Sequence, residues 1–375
     1  MPLSIYFLVF SRLSHKMISS LLQACIAFSL TLLWIIILSP MAIRIGLVDA
    51  PNQRKQHEGE IPIVGGIAIF LTLIIAAALW GQADPSTPEK QTNALLPFLT
   101  AGGLLVVIGI LDDRLQLTVL TRILAEVAVA VILVESLDLR LSNLGDLLGT
   151  GAIKLSGYLA YIFTVLVIFV VVNAYNMLDG MDGLLGIIVM ITILAFHVFT
   201  GLEPGLISIT VIASLTAFLV SNLGLVWFIP KSFLGDAGSK LLGLIVVALV
   251  LLVTSRQVGN DRIILPATAL YLLGLPLFDM AFTTLRRLAR RKSPVRADNT
   301  HIHHLLHMMG LSGRRSLLLI GSLGLIIPSL GLMLARAGVA ESQQFGIFVG
   351  CFAIYCIVMS QAWHVAGRWG RRGSP

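Results

Sequence analysis

Apolar runs separated by short polar segments cover the sequence from end to end. A helix needs roughly 17–25 mostly apolar residues to cross a bilayer, and such runs recur along the whole chain. We expect eleven membrane-spanning helices, at about 21–38, 61–80, 95–111, 119–137, 157–174, 184–200, 205–221, 241–254, 263–280, 316–335 and 345–363. The pattern predicts an all-α, polytopic integral membrane protein in which residues 17–375 form a single membrane-embedded domain.

The first sixteen residues differ from this pattern. Residues 2–10 form a short apolar run, which Arg12, His15 and Lys16 follow. A signal peptide carries its basic residues before the apolar run and a small-residue cleavage site after it. Neither feature is present, so we treat residues 1–16 as a leader without an assigned role.

The composition excludes an ordinary soluble domain. Charged residues make up 12% of the chain and the mean hydropathy is +0.93, whereas soluble domains carry about 25% charged residues. The net charge is +7, and the segments after odd-numbered helices, with the tail and with Arg122 at the start of the fourth helix, hold 18 Lys and Arg against 6 after the even-numbered helices. By the positive-inside rule, the odd-numbered loops and the C-terminus face the cytoplasm and the N-terminus faces outside. The basic residues therefore indicate membrane lipids as partners rather than nucleic acid.

Acidic residues lie at the cytoplasmic end of the third predicted helix. Asp112 and Asp113 end this helix, and Arg122 follows nine residues later. A negative pair at a helix C-terminus is unfavourable in the field of the helix dipole. Two interpretations remain open: the aspartates are solvated loop residues, or they share a cation or a proton.

A second acidic segment follows the fifth predicted helix. Asn176, Asp179 and Asp182 recur every three residues, which places them near one face if the helix continues. This segment contains no Lys or Arg, so an external cation is the natural partner of its carboxylates. Carboxylate and amide oxygens suit Mg²⁺ or Mn²⁺ better than zinc. A polar helix cap is the alternative interpretation.

Two further aspartates lie close to predicted helix ends. Asp236 precedes the eighth helix in a Gly-Asp-Ala-Gly-Ser stretch. It is either an N-cap or part of a phosphate site at the helix N-terminus, where Phe233 offers a face for stacking a base. Asp279 lies near the cytoplasmic end of the ninth predicted helix, where the helix dipole disfavours a carboxylate. Its role stays open between a part in the site and simple pairing with Arg286 or Arg287.

The last large cytoplasmic loop, residues 281–315, combines eight Lys and Arg with clustered histidines. Attraction to anionic lipid headgroups explains the basic residues. His301, His303 and His304 lack the HExxH spacing or the cysteine partner of a zinc site, and they suit hydrogen bonding to phosphate or sugar better. In the first cytoplasmic loop, His57 either contacts a phosphate or belongs to a basic membrane anchor.

Taken in order, these motifs resemble those of the polyprenyl-phosphate N-acetylhexosamine-1-phosphate transferase family, glycosyltransferase family 4. The matching stretches are Pro-Asn-x-Arg-Lys-x-His at 51–57, Asp-Asp-Arg at 112–114, Asn-Ala-Tyr-Asn-Met-Leu-Asp-Gly-Met-Asp-Gly-Leu at 173–184, Phe-Leu-Gly-Asp-Ala-Gly-Ser at 233–239 and His-Ile-His-His at 301–304. Each motif alone is modest evidence for the family, but five motifs in the family's order are specific to it. The histidine motif lacks the further histidine and acidic residue expected of the phospho-MurNAc-pentapeptide branch, which favours a plain N-acetylhexosamine donor.

The resemblance implies an enzyme of the bacterial inner membrane that transfers GlcNAc-1-phosphate from UDP-GlcNAc to undecaprenyl phosphate and releases UMP. It also implies Mg²⁺ or Mn²⁺ as cofactor and a first membrane step of O-antigen, lipopolysaccharide or related polysaccharide synthesis. By position it assigns catalytic roles to Asp112, Asp113, Asp179 and Asp182, and metal binding to Asp236 and Asn176. It assigns nucleotide-sugar and phosphate binding to His301, His303, His304, Arg122, Phe233 and His57.

Other interpretations stay open at this point. The same reaction with another UDP-N-acetylhexosamine would use the same motifs. A transporter for an anionic solute would also need many helices and charges, but its polar residues belong near the bilayer midplane. A scaffold for glycan assembly would not need five acidic or histidine motifs. For the enzyme, a homodimer is one expected state of association.

Overall fold

The protein is built almost entirely of helices. The computed structural model describes residues 3–49, 59–81, 88–255, 257–258, 261–293 and 301–370. The helices are α1 (Leu3–Ile45), α2 (Gly65–Trp80), α3 (Pro88–Leu115), α4 (Val119–Leu137), α5 (Gly157–Leu178), α6 (Leu184–Thr200), α7 (Leu206–Asn222), α8 (Gly235–Thr254), α9 (Pro266–Leu272), α10 (Gly274–Ala289), α11 (Ile302–Met308), α12 (Gly313–Arg336) and α13 (Glu341–Gly370). Two antiparallel hairpins join β1 (Val48–Asp49) to β2 (Ile61–Pro62) and β3 (Gln257–Val258) to β4 (Asp261–Arg262).

Every predicted membrane segment is mostly helical, but fewer than eleven helices in the described part of the chain are long and apolar enough to cross a bilayer. In the described part of the chain the spans are Met17–Ile45, Ala94–Leu115, Gly157–Leu178, Gly235–Thr254, Gly313–Arg336 and Glu341–Ala366. The ninth predicted segment is divided into α9 and α10, which are bent by 81° and add a seventh span if counted together. Helices α2, α6 and α7 are apolar but shorter. A polytopic α-helical membrane protein is confirmed, and the count of eleven spans is not.

The first helix runs without a break from Leu3 to Ile45, so residues 3–16 continue into the first span. Its packing includes hydrogen bonds between buried hydroxyl groups. Thr31 Oγ1 lies 3.0 Å from Thr72 Oγ1 of α2 and 2.9 Å from Ser214 Oγ of α7. In apolar surroundings, side-chain hydrogen bonds between helices contribute about 0.6 kcal/mol on average. These two hydrogen bonds fix the position of α1 along both α2 and α7.

Helix α8 lies at the centre of the bundle, against α2, α3, α5, α6 and α9. In its most apolar stretch 89% of the residues are buried. The approach to α2 is close, because a Cβ at Gly66 would collide with the backbone of Gly238. Glycine at both positions lets the two helices touch backbone to backbone, which places the first turn of α8 beside α2.

The four polar motifs within the described residues, at 112–114, 173–184, 233–239 and 301–304, meet at one end of the bundle. The C-terminal ends of α3, α5 and α7 and the N-terminal ends of α4, α6 and α8 lie at this end. At the opposite end Glu341 accepts the backbone N–H groups of Asp146 and Ala267, which joins the loops before α5 and α9. The motifs therefore share one end, and the uneven distribution of Lys and Arg predicts that this end faces the cytoplasm.

Candidate active site

Asp113, near the C-terminal end of α3, binds the first turn of α8. Its Oδ2 and Oδ1 accept the backbone N–H of Asp236 at 3.1 and 3.3 Å. Gly235 has a φ of +66°, and a Cβ there would collide with the Asp113 carboxylate and with Ile63. The carboxylate is unfavourable in the dipole of α3 but favourable at the positive end of α8. Tertiary packing therefore explains an aspartate that looks misplaced in the sequence.

Asp112 is buried between two cationic side chains. It is 7% exposed, and its Oδ2 lies 3.3 Å from Arg122 Nη1 and 3.6 Å from Lys240 Nζ. Its Oδ1 accepts the N–H of Leu117 at 3.0 Å. A buried carboxylate needs such partners, because an unpaired charge away from water is costly. Arg122, a predicted pyrophosphate ligand, thus holds Asp112 while 35% of its side chain stays exposed.

Lys240 is a buried cation among three carboxylates. The side chain is 1% exposed, and besides Asp112 its Nζ lies 3.1 Å from Asp236 Oδ2 and 3.2 Å from Glu126 Oε1. Asn173 Nδ2 donates to Glu126 Oε2 at 2.6 Å. Lys240, Glu126 and Asn173 are not among the site residues predicted from the sequence. The available signal was the spacing of four between Asp236 and Lys240, which is typical of helical ion pairs.

The Asn176–Asp182 segment differs from its prediction in two respects. Helix α5 ends at Leu178, so Asp179 and Asp182 lie beyond it and the three polar residues do not share one continuous helix face. Asp182 also has a cationic partner, because Lys231 Nζ donates to its Oδ2 at 2.6 Å. The expectation that only an external cation neutralises this segment is wrong for Asp182, since the partner comes from a loop 49 positions away.

Asn176 and Asp179 face the start of α8. Ser239 donates its hydroxyl to Asn176 Oδ1 at 2.8 Å. Burial raises the pKa of Asp179 to about 7, and the nearby carboxylates of Asp236, Asp113 and Asp182 add to the increase. Like charges disfavour the ionised form. Asp179 is therefore close to its titration midpoint at neutral pH.

The five aspartates, here called the carboxylate cluster, outnumber the cations that contact them. The cluster consists of Asp112, Asp113, Asp179, Asp182 and Asp236. Its ion-pair partners in the described part of the chain are Arg122, Lys231 and Lys240. No group of three or more His, Cys, Asp or Glu residues within the described ranges is arranged to hold a metal ion by itself. The donor chemistry nevertheless fits Mg²⁺, which takes one or two carboxylates and completes its shell with water and substrate phosphate.

The histidines are anchored by Asp279 of α10. Asp279 is 1% exposed; its Oδ2 lies 2.7 Å from His301 Nδ1 and its Oδ1 accepts the N–H of Ile302 at 3.0 Å. Tyr355 of α13 donates its hydroxyl to the same Oδ1 at 3.1 Å. The contacts of Asp279 thus fix the start of α11, a role that the sequence did not indicate.

His303 links the histidines to the carboxylate cluster. Its ring stacks on His301 at 5.9 Å between centroids and lies 4.1 Å from the ring of His304. A Cβ at Gly180 would collide with its Nε2, so the loop after α5 passes directly over the ring. The side chain is buried, and neither ring nitrogen has a hydrogen-bond partner within the described residues. Burial lowers the pKa of His303 to about 3, so the ring is neutral.

The remaining predicted ligands lie at the edge of the site. Phe233 is half-buried, and Lys231 Nζ is 5.5 Å from the centre of its ring, within the range of a cation–π contact. The backbone of Phe233 bonds to Pro62 and Gly65, which fixes this loop beside α2. His57 lies outside the described residues.

These features define a polytopic membrane enzyme with an acidic active site at one end of its helix bundle. Comparison with known proteins identifies the family. The family model of Glycosyl transferase family 4 matches residues 95–254, the part of the chain that contains the whole carboxylate cluster.

The relatives extend the match over nearly the whole chain. The undecaprenyl-phosphate alpha-N-acetylglucosaminyl 1-phosphate transferase of Haemophilus influenzae is 34% identical over 361 residues, 94% of this chain and 97% of that protein. The proteins of the same name from Salmonella typhi and Escherichia coli (strain K12) are each 33% identical, over 357 and 343 residues. These alignments cover 94% and 90%, respectively, of both partners. The chain belongs to glycosyl transferase family 4.

Proposed function

We propose that this protein transfers GlcNAc-1-phosphate from UDP-GlcNAc to undecaprenyl phosphate. A lipid-phosphate oxygen attacks the β-phosphorus of UDP-GlcNAc, the bond from this phosphorus to the UMP oxygen breaks, and undecaprenyl-pyrophosphoryl-GlcNAc forms. The observation that carries the proposal is the similarity over at least 90% of the chain to relatives named for this activity. The carboxylate cluster and the histidines supply a site of suitable chemistry at one end of the bundle.

The nucleophile needs orientation more than deprotonation. The second pKa of a phosphate monoester is about 6, so the lipid phosphate is largely dianionic at neutral pH. Asp112 and Asp113 already have tight protein partners in Arg122, Lys240 and the first turn of α8. We therefore assign these two aspartates to positioning. Asp179, with its pKa of about 7, is suited to exchange a proton near neutrality.

A divalent cation, Mg²⁺ or Mn²⁺, completes the proposed site. We assign Asp236 and Asn176 as its ligands. Lys240 contacts Asp236, and Ser239 donates to Asn176; such contacts orient the remaining lone pairs. A bound divalent cation neutralises charge on the phosphoryl oxygens of the donor. The excess of carboxylates over cations supports this assignment.

The histidines are the proposed contacts of the donor's pyrophosphate or sugar. A neutral imidazole offers one donor and one acceptor, and both nitrogens of His303 are without a partner among the described residues. We assign His301, His304 and the exposed part of Arg122 to the same donor molecule. We assign Phe233 to stacking on uracil and His57 to phosphate binding.

The proposed location follows from the two substrates. UDP-GlcNAc is soluble and undecaprenyl phosphate lies in the membrane, so they meet at a membrane surface. We place the site at the cytoplasmic face of the inner membrane, where the basic loops put it. The product would serve as the first lipid-linked intermediate of O-antigen or a related surface polysaccharide.

The test is an assay of UMP release by the purified full-length protein in detergent. We expect UMP and lipid-linked sugar in equal amounts when UDP-GlcNAc, undecaprenyl phosphate and Mg²⁺ are all present, and no UMP without the lipid. Other UDP-N-acetylhexosamines in the same assay define the donor. Lipid-independent transport of an anion without UMP release would support the transporter instead.

Metal dependence is tested in the same assay. EDTA should abolish turnover, and Mg²⁺ or Mn²⁺ should restore it. Asp236→Asn should be inactive yet folded. Asp138→Asn is the matched control, because Asp138 is 87% exposed at the far end of α4. Full turnover in EDTA, or by Asp236→Asn, would contradict the metal assignment.

A further inference from the structure

Lys240 is the single basic residue of α8, and its ammonium group is enclosed by carboxylates from three helices. These are Asp112 of α3 at 3.6 Å, Glu126 of α4 at 3.2 Å and Asp236 of α8 itself at 3.1 Å. With 1% of the side chain exposed, water contributes little to its solvation. A buried charge is tolerated only when it is well paired, so the three carboxylates keep the ammonium in place.

The three partners of Lys240 belong to two different groups. Asp112 and Asp236 are members of the carboxylate cluster. Glu126 is 4% exposed and is held from its other side by Asn173, at 2.6 Å. No step of the proposed reaction uses Glu126. Lys240 thus lies between the active-site carboxylates and a buried carboxylate behind them.

We propose that Lys240 is a positioning residue of the transferase site that fixes Asp112 and Asp236 relative to each other and sets the affinity of the cluster for a divalent cation. The ammonium joins the end of α3 to the first turns of α8, so its loss removes the cation that contacts both carboxylates. Arg122 and the N–H of Leu117 still contact Asp112, whereas Asp236 loses its cationic partner. As a fixed positive charge 3.1 Å from Asp236, the ammonium also opposes a second cation at that residue. The kinetic part of this inference rests on the proposed function, whereas cation binding is measured on the protein alone.

The competing explanation is that Lys240 only neutralises Glu126 for the sake of the fold. Lys240→Met alone does not distinguish the two, because it leaves Glu126 buried without its cation. The double variant Lys240→Met/Glu126→Gln removes both charges and keeps both shapes, and the amide oxygen of the introduced glutamine can still accept from Asn173. If only the fold matters, the double variant should behave like the wild type.

We expect the double variant to melt within about 4 °C of the wild type. Its turnover should fall by about tenfold or more, since small misplacements of reacting groups are costly. The KM for UDP-GlcNAc should change by less than about threefold, because the donor contacts are elsewhere. The dissociation constant for Mn²⁺, measured by electron paramagnetic resonance without substrates, should decrease by about threefold or more.

Lys154→Met is the matched control, because this exposed lysine lies in the loop before α5 at the opposite end of the bundle. It should equal the wild type in all four measurements. A double variant with wild-type turnover and wild-type Mn²⁺ affinity would overturn the inference. So would the absence of Mn²⁺ binding in wild type and variants alike. If the wild type binds Mn²⁺ but releases no UMP, the proposed function fails, while a tighter Mn²⁺ complex in the double variant still supports the role of Lys240.

Discussion

Replacing Asp279 by asparagine should impair turnover far more than it affects folding. Asp279 is buried, with Oδ2 at 2.7 Å from His301 Nδ1 and Oδ1 accepting from Ile302 and Tyr355 at 3.0 and 3.1 Å. An ionised carboxylate only accepts hydrogen bonds. His301 must therefore carry its proton on Nδ1, and in the neutral ring Nε2 is then the acceptor.

The asparagine side chain keeps this shape but reverses one hydrogen bond. Its Oδ1 still accepts from Ile302 and Tyr355, whereas its amide nitrogen can only donate, so His301 must adopt the other tautomer. A hydrogen bond to a charged group is worth about 1.5–3 kcal/mol, which bounds the expected loss of stability. Nε2 of His301 would then carry the proton and present a hydrogen-bond donor, rather than an acceptor, to UDP-GlcNAc. A loss of 1.4 kcal/mol in the transition state corresponds to about a factor of ten in rate. We expect turnover to fall by tenfold or more.

The assay is UMP release, with thermal melting in detergent as the measure of folding. Tyr355→Phe is the matched control, because it removes one hydrogen bond to the same carboxylate without changing the His301 contact. It should cost about 1 kcal/mol of stability and keep turnover within about threefold. Wild-type turnover of Asp279→Asn would refute the reasoning, and an equal loss in both variants would show that packing around Asp279 matters rather than the tautomer of His301.

Three further predictions concern other parts of the site. The pKa of Asp179 is raised from 3.8 to about 7, so between these values the folded state holds a proton that the unfolded state loses, and this contribution to stability is lost over that range and is gone above about pH 7. In EDTA, Asp179→Asn should flatten the fall in melting temperature between about pH 4 and pH 7, and an unchanged slope would contradict the shift. His303→Phe keeps the ring but removes both nitrogens, so turnover should fall by about tenfold without loss of melting temperature; near-normal turnover would exclude a donor contact. In a background without the native cysteines, a cysteine at Lys154 should react with an impermeant maleimide in intact cells and one at Ser293 only after lysis, and the reverse pattern would overturn the orientation.

The helices were predictable from the sequence, and the side of the membrane and the residue types of the site stay predictions drawn from it. Hydrophobicity is a local property, so long apolar runs predict membrane helices without any knowledge of their neighbours. The sequence alone also shows the uneven distribution of Lys and Arg and the five motifs in their order. The number of spans was not predictable, because α2, α6 and α7 are shorter than the six spanning helices and the ninth predicted segment bends by 81° between α9 and α10.

The partners of the charged residues were decided by tertiary structure alone. Asp113 bonds to the N–H of a residue 123 positions away, and Lys231 reaches Asp182 across 49 positions. Lys240 counts as a loop cation in the sequence, yet the structure buries it among three carboxylates. Charges interact through space and across low-dielectric interiors, so their partners depend on which helix ends meet. That choice follows from the packing of whole helices around α8, which no single motif encodes.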